Sequence, residues 1–184
     1  IDGDLFPLLS KAIPYLKTVK HIVVMQDNLE VPESNFPNVY SYEKLLAEAD
    51  DNFAFPEDLD ENSPAGMCYT SATTGMPKGV VYSHRGLVLH SLALGLSDSM
   101  GIREKDVIMP IVPMFHVNAW GMPFAAVNYG STQVLPGPMF TPSLLLDLIE
   151  QEKVTVTAGV PTIWLGVAQE QEKNPRDLSS LRSV

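Results

Sequence analysis

The sequence has little cysteine, few basic residues and no long apolar run. Its single cysteine, Cys68, excludes an internal disulfide, and its place in an apolar run is typical of a small buried residue rather than a nucleophile. No apolar stretch reaches the ~18 residues of a membrane span and no signal peptide is visible, so a cytoplasmic location is the default expectation. The 12 Lys and Arg residues form no basic stripe against 22 Asp and Glu, which argues against nucleic acid as the main partner.

The composition is otherwise that of a folded domain. The 184 residues are 45% hydrophobic and 18% charged, which is enough for one domain with a core. Much of the net charge of −10 arises between Glu43 and Glu61, where the only basic residue is Lys44. We interpret this acidic stretch as a solvated connection rather than a metal site. Because the chain begins at Ile1 and not at Met, we expect a piece of a longer protein.

The apolar pattern predicts an α/β fold with a largely parallel sheet flanked by helices. Short, continuously apolar strands alternate with segments of helical periodicity, which is typical of parallel sheets covered on their faces. A helix start is expected at Thr141, followed by proline at the first helical position. We predict strands over 19–25, 66–70, 80–83, 107–112, 132–135 and 154–158, and helices over 4–17 (interrupted at Pro14), 42–49, 85–100, 117–129, 141–153 and 162–172.

Residues 69–79 carry the clearest functional signal. They read Tyr-Thr-Ser-Ala-Thr-Thr-Gly-Met-Pro-Lys-Gly, so that four hydroxyls precede two glycines, a proline and a lysine. Hydroxyls, backbone N–H groups and an ammonium are what a protein needs to hold a polyphosphate. Glycine lets the amides turn toward the anion, and proline keeps the segment out of a helix. We interpret the segment as a nucleotide phosphate loop, against the alternative of a polar turn between two strands.

This loop differs from the two most familiar nucleotide motifs. The Walker pattern GxxxxGK[ST] is absent, because Lys78 follows Pro77 and precedes Gly79. No GxGxxG dinucleotide fingerprint occurs either. The predicted nucleotide site therefore has another design.

The loop and several later segments resemble one enzyme superfamily. Residues 69–79 are similar to the phosphate-loop signature of the adenylate-forming (AMP-binding) enzymes, which include acyl-CoA synthetases, luciferases and adenylation domains of peptide synthetases. Residues 80–85, 110–120, 134–137 and 158–162 resemble the medium- and long-chain fatty acyl-CoA synthetase branch. The likeness spans nearly the whole chain. It implies that residues 1–184 are a fragment of the large N-terminal AMP-binding domain.

The chain departs from this resemblance at Ala72, where the family usually has glycine. A Cβ would cost about 1–2 kcal/mol if the backbone there needed positive φ, and would be harmless in extended backbone. We expect extended backbone at Ala72, because the surrounding loop is otherwise intact.

The resemblance implies an ATP-dependent fatty acyl-CoA ligase. A fatty acid and ATP give acyl-AMP and pyrophosphate, and CoA then displaces AMP. Lys78 is the expected catalytic cation, because the reaction joins two anions and depends on cancelling phosphate charge. Mg²⁺ is expected to accompany ATP, but no metal ligand is assigned within this chain. The residues expected to hold the phosphates are Thr70, Ser71, Thr73, Thr74, Gly75 and Lys78.

His116 is the second candidate catalytic residue. It follows a predicted strand, at the edge of a parallel sheet where ligands collect. The resemblance implies a role in orienting the carboxylate or stabilising charge near the α-phosphate. A packing role satisfied by backbone groups is the alternative. An amino-acid-activating relative would have aspartate at this place, so His116 argues against an amino-acid substrate.

An apolar channel for the acyl tail is expected at the carboxyl ends of two predicted strands, 107–112 and 154–158, which precede residues 116 and 159. Trp120 is the preferred channel residue, although large and small side chains alternating along 118–125 also suit plain core packing. The resemblance implies that the pocket wall includes Gly159, Val160, Pro161 and Thr162.

Other functions remain open at this stage. The family's C-terminal lid domain, with its catalytic lysine, is absent from residues 1–184, so we predict that this fragment alone does not turn over. A non-catalytic nucleotide-binding module is one alternative, and a luciferase-like or aryl-acid-activating relative is another. The sequence leaves open the acyl chain length, a homodimer and peripheral membrane association.

Overall fold

The structure is a computed structural model that describes residues 1–71 and 75–184. Ala72, Thr73 and Thr74 lie outside the described residues, so the expectations for them stay predictions. The described chain forms two compact units, Ile1–Glu57 and Asp58–Val184. No described helix is long and apolar enough to cross a membrane.

The first unit is a small α/β unit built on two parallel strands, β1 (Ile22–Val24) and β2 (Val39–Ser41). Helix α1 covers Phe6–Ser10 and helix α2 covers Tyr42–Glu48, and two 3₁₀ turns occupy Gly3–Leu5 and Ile13–Tyr15. The predicted helix over 4–17 is therefore wrong beyond residue 10. Proline lacks an N–H and restricts the residue before it, so the segment around position 14 forms a 3₁₀ turn instead. Buried Phe6, Ile22 and Val24 form the core of this unit.

The second unit begins with an antiparallel hairpin. Strand β3 (Pro64–Thr70) pairs with β4 (Lys78–Ser83), and Thr70 lies opposite Lys78 at the end of the hairpin that the loop joins. Helix α3 (His84–Leu94) follows at once, and the Ser83 side chain accepts a hydrogen bond from the Gly86 amide at 3.1 Å. The phosphate-loop candidate thus connects two strands, as predicted.

A three-stranded parallel sheet forms the centre of this unit. Strand β5 (Val107–Pro110) lies between β6 (Thr132–Gln133) and β7 (Val156–Ala158). Between these strands run a one-turn segment α4 (Val117–Trp120), helix α5 (Met122–Tyr129) and helix α6 (Pro142–Glu152), and helix α7 (Pro161–Lys173) follows β7. The prediction of an α/β fold with parallel strands flanked by helices is confirmed.

Buried side chains form two separate clusters in this unit, and neighbouring residues of β5 enter different ones. Ile108 belongs to a cluster with residues of α3, α5 and β7, whereas Met109 belongs to one with residues of α6 and α7. Successive side chains of a strand point to opposite faces, so helices cover both faces of the sheet. The first cluster is Leu94, Ile102, Ile108, Met122, Ala125, Ala126, Val156 and Ala158; the second is Met109, Ile111, Leu145, Leu146, Ile149, Val154 and Val167.

An ion pair with a buried carboxylate attaches the C-terminal residues to the start of β5. Asp106 is 2% exposed, and its Oδ1 accepts from Arg182 Nε at 2.9 Å and from Thr155 Oγ1 at 2.9 Å. Burial acts to raise the pKa of Asp106, but hydrogen bonds from Arg182, Thr155 and the Arg103 amide outweigh it, and the pKa lies below its ordinary value. Arg182 also donates to the carbonyls of residues 100 and 101, so the guanidinium joins three parts of the chain.

Candidate active site

The hairpin fixes both ends of the phosphate-loop candidate. Because Thr70 and Lys78 are register partners, the two ends of the loop lie side by side on adjacent strands. Thr70, Ser71, Gly75 and Lys78 are all exposed at this end of the hairpin. Hydroxyls and an ammonium at one exposed hairpin end are free to meet a large anion in solvent.

Gly75 is a glycine for conformational reasons. Its φ is +128°, and a Cβ placed there would meet no atom within 4 Å. The requirement therefore comes from the backbone rotation and not from crowding. Such a conformation turns backbone amides in directions that an L-residue would rarely permit.

The next glycine, Gly79, has a different role in the hairpin. It lies opposite Tyr69, and a Cβ there would stand 2.9 Å from Met67 Sδ and 3.4 Å from Tyr69 Cζ. The absent side chain leaves room for these two side chains to lie across β4. The packing of Met67 and Tyr69 across β4 therefore depends on glycine at position 79.

The carboxyl ends of β5 and β7 bring two predicted site segments to one sheet edge. The Ile111 amide donates to the Ala158 carbonyl at 3.1 Å, immediately before the segments that carry His116 and Gly159. His116 is exposed, and its amide donates to the Pro113 carbonyl at 2.9 Å. Its imidazole is therefore accessible at the edge where parallel sheets place ligands.

The predicted pocket wall is held in place by a residue that sequence reasoning missed. Trp164 Nε1 donates to the Gly159 carbonyl at 3.1 Å, and the residues between them start helix α7. Val160 caps this helix and Pro161 takes its first position, which suits a residue without an N–H. Val160, Pro161 and Thr162 are exposed, as a pocket wall requires. The only sequence signal for Trp164 was an aromatic residue one turn into the predicted helix.

Segment α4 contains the main disagreement with the sequence predictions. Residues 117–120 have φ values of 51°, 51°, 49° and 56°, so this turn is left-handed, and right-handed helix begins only at Met122. The predicted helix over 117–129 is wrong in its first turn. A left-handed conformation costs about 1–2 kcal/mol for each L-residue, and Val117 is β-branched. Such strain persists where the surroundings determine the conformation, and it clusters at functional sites.

Two side-chain hydrogen bonds stabilise this left-handed turn. Cys68 Sγ donates to Asn118 Oδ1 at 3.2 Å from strand β3, and the cysteine is buried as predicted. His90 Nε2 lies 2.9 Å from the Trp120 carbonyl; because a carbonyl only accepts, this nitrogen carries the proton. Cys68 belongs to β3, which leads into the phosphate-loop candidate, and His90 belongs to α3, which follows β4. Trp120 is 38% exposed as a whole residue.

The predicted site residues thus fall into two sets. Thr70, Ser71, Gly75 and Lys78 share the hairpin end, whereas His116 and residues 159–162 follow neighbouring parallel strands. Trp120 is linked to the hairpin side through α3, which follows β4 directly. His90 had no predicted role, because its partner is distant in sequence. Within residues 1–71 and 75–184, no group of three or more His, Cys, Asp or Glu could hold a metal ion.

The whole chain matches a known enzyme family. The pattern of the AMP-binding enzyme family covers residues 5–184. The chain therefore belongs to the AMP-binding enzyme family, and the superfamily predicted from the loop is confirmed.

Two of the most similar sequence relatives are ligases of fatty acids. The chain is 49% identical over 183 residues to a long-chain-fatty-acid–CoA ligase of Thermus thermophilus, covering 100% of this chain and 32% of that protein. It is 41% identical over 184 residues to a medium-chain-fatty-acid–CoA ligase of Ectopseudomonas oleovorans, covering 100% and 34% respectively. The chain thus spans about a third of the length of these relatives.

Solved structures support the fold. The crystal structure of an anthranilate CoA ligase in complex with anthranoyl-AMP has a TM-score of 0.81 and 23% identity to this chain, covering 99% of this chain and 35% of that one. At 23% identity, this likeness supports a shared fold and nothing about function. It agrees with strands and helices arranged as in an adenylate-forming CoA ligase.

Proposed function

We propose that this chain is the phosphate-loop segment of an ATP-dependent fatty acyl-CoA ligase, within a large N-terminal domain that residues 1–184 fill only in part. The observation that carries the proposal is the exposed loop at the end of the β3–β4 hairpin. It presents hydroxyls, a positive-φ glycine and one lysine in a chain closely related to two fatty-acid ligases. The substrates are a fatty acid, ATP and CoA.

Lys78 supplies the positive charge in the first half-reaction. A carboxylate attacks the α-phosphorus of ATP, and pyrophosphate leaves as an additional anion. The ammonium and the loop hydroxyls of Thr70, Ser71, Thr73 and Thr74 reduce the repulsion between these anions, with the Gly75 amide as a further donor. No proton transfer is needed from Lys78, which acts through charge and position.

His116 orients the attacking carboxylate. His116 follows the carboxyl end of β5, and Gly159 follows the carboxyl end of the neighbouring strand β7. An imidazole N–H there can donate to a carboxylate or to an α-phosphate oxygen. Trp120 and residues 159–162 border the acyl tail, because they combine exposed apolar surface with this sheet edge.

Several finer points stay predictions. Mg²⁺ accompanies ATP through ligands that this chain does not assign, and CoA enters in the second half-reaction. A homodimer and a cytoplasmic location are compatible with this function. A luciferase-like or aryl-acid-activating enzyme would share the first half-reaction, but the names of the two sequence relatives favour fatty acids.

The decisive test is ATP–pyrophosphate exchange by the complete ligase with a panel of acids. We expect exchange with octanoate or palmitate and little with benzoate. Lys78→Ala should lower kcat/KM for ATP by about 100-fold, because it removes a charge from the transition state. Lys105→Ala is the matched control, since Lys105 is an exposed lysine outside the candidate site, and it should leave the rate unchanged.

Two results would contradict this function. Exchange with aryl acids alone would favour the aryl-acid alternative. If the complete ligase binds ATP but shows no exchange with any acid, a non-catalytic binding module would be favoured.

A further inference from the structure

His90 lies where it can control the left-handed turn that carries Trp120. It projects from helix α3, and its Nε2 donates to the Trp120 carbonyl at 2.9 Å. That carbonyl belongs to the last of four successive non-glycine residues with positive φ. A hydrogen bond at the end of a strained turn opposes its return to ordinary backbone conformation.

The ring of His90 also occupies the space beside Gly121, the residue after the turn. Gly121 has a φ of +74°, and a Cβ at this position would overlap His90 Cδ2 and Nε2. The imidazole therefore fills the space that a side chain at position 121 would need. One side chain thus contacts both Trp120 and Gly121, and both contacts favour the observed turn.

Helix α3 holds His90 in a fixed position relative to α5. At the other end of the contact, the Tyr129 hydroxyl donates to the Leu92 carbonyl at 3.0 Å, and a Cβ at Gly95 would overlap the Tyr129 ring. The two helices therefore approach closely at two places along α3. This packing fixes the backbone from which His90 reaches Trp120.

We propose that His90 is a positioning residue that fixes the backbone of Trp120 and so sets the wall of the acyl channel. The inference rests on the proposed function, because it assigns the turn to the fatty-acid site. His90 contacts no reacting atom and acts through Trp120. Loss of its hydrogen bond should impair use of the fatty acid more than use of ATP.

The first test compares three variants of the complete ligase. His90→Leu retains bulk and removes the donor, whereas His90→Gln offers an N–H at similar reach. Leu89→Gln is the control, because Leu89 is an exposed neighbour on α3. We expect His90→Leu to lower kcat/KM for palmitate about tenfold, as for one lost hydrogen bond, with KM for ATP within about twofold. His90→Gln should restore kcat/KM to within about threefold of the unsubstituted enzyme, and the control should match it.

The second test needs no activity. The thermal midpoints of Gly121→Ala, His90→Ala and the double variant form a cycle with the unsubstituted ligase. We expect Gly121→Ala to lower the midpoint less when His90 is already alanine, because the overlapping ring is gone. Strictly additive effects would overturn the assigned contact.

The two tests separate this inference from the function on which it rests. Inactivity of the unsubstituted ligase with every fatty acid would contradict the proposed function, whatever the thermal cycle gives. An active ligase in which His90→Leu retains normal kcat/KM, loses ATP and palmitate use equally, or is not rescued by glutamine would overturn the positioning role.

Discussion

Gly75 and Gly121 are required to be glycine for two different physical reasons. At Gly75 the backbone needs a φ of +128° in open space, whereas at Gly121 a neighbouring ring occupies the place of a side chain. A substitution at the first position costs conformational energy only, and one at the second adds a steric overlap. The loop glycine can therefore be tested without disturbing its neighbours.

Gly75→Ala should raise the KM for ATP about fivefold, because alanine disfavours positive φ by about 1 kcal/mol and the loop must adopt this conformation to meet phosphate. Gly137→Ala is a matched control. Gly137 also has positive φ (+76°) and no atom within 4 Å of a Cβ, but it lies outside the candidate site. Both variants should lower the thermal midpoint slightly, and an equal rise in KM for ATP in both would contradict a specific role of Gly75.

At the scale of elements, the helix starts were the most predictable feature. The sequence signal Thr141-Pro142 is confirmed in α6, where Thr141 Oγ1 accepts from the Leu144 amide at 3.2 Å. Capping is local, since a hydroxyl and an amide three residues apart decide it. The other described strands were predicted at nearly the right places, because continuous apolar runs are local patterns, but β2 (Val39–Ser41) was missed.

Thr141→Ala should destabilise α6 by about 1 kcal/mol, because an amide of the first turn loses its partner. Hydrogen exchange of the peptide that contains Leu144 measures this local effect directly. Thr141→Ser keeps a hydroxyl and should retain protection. Unchanged exchange in the alanine variant would show that the cap contributes nothing.

Segment α4 shows what local patterns cannot predict. Residues 117–120 carry helical periodicity, but the turn is left-handed because distant side chains determine its conformation. Cys68 is 50 residues away from its partner Asn118, and His90 is 30 residues away from Trp120. Without an alignment or a structure, contacts over such separations leave no trace in periodicity or propensity. The sequence therefore supplied candidate site residues, which stay predictions, but could not predict the backbone conformation at Trp120.

The ion pair of Asp106 and Arg182 acts at the scale of the whole molecule. It joins the start of β5 to residues near the end of the chain, where Ser183 forms a parallel bridge with Val156. Sequence patterns gave no sign of it, because the partners are 76 residues apart. Asp106 is buried, whereas the Arg182 side chain is 29% exposed, so removal of the carboxylate would leave a guanidinium that water reaches in part.

Asp106→Asn should therefore lower the free energy of unfolding by about 2 kcal/mol at neutral pH, the size of a hydrogen bond to a charged group. The folded-state pKa of Asp106 lies below its ordinary value of 3.8, so its stabilising effect is present above that pH and is lost as the pH falls through the folded-state pKa. The difference in thermal midpoint between Asp106→Asn and the unsubstituted protein should be constant from about pH 5 to 8 and should shrink below about pH 4. Thermal scans across this pH range measure it.

Asp177→Asn is the control for that titration. Asp177 is also paired with a cation, Lys153, at 3.5 Å, but both side chains are largely exposed. Exposed pairs contribute little, so the midpoint should barely change. Equal losses in the two variants would contradict a special role for the pair of Asp106 and Arg182.

The contact between α3 and α5 has a consequence for redesign and for natural variation. Each helix contributes one glycine that receives an aromatic ring from the other: Gly95 receives Tyr129, and Gly121, at the start of α5, receives His90. The fit is reciprocal, so each ring depends on a glycine beside the other helix. Homologous chains that enlarge one of these glycines should carry a smaller side chain at its partner position.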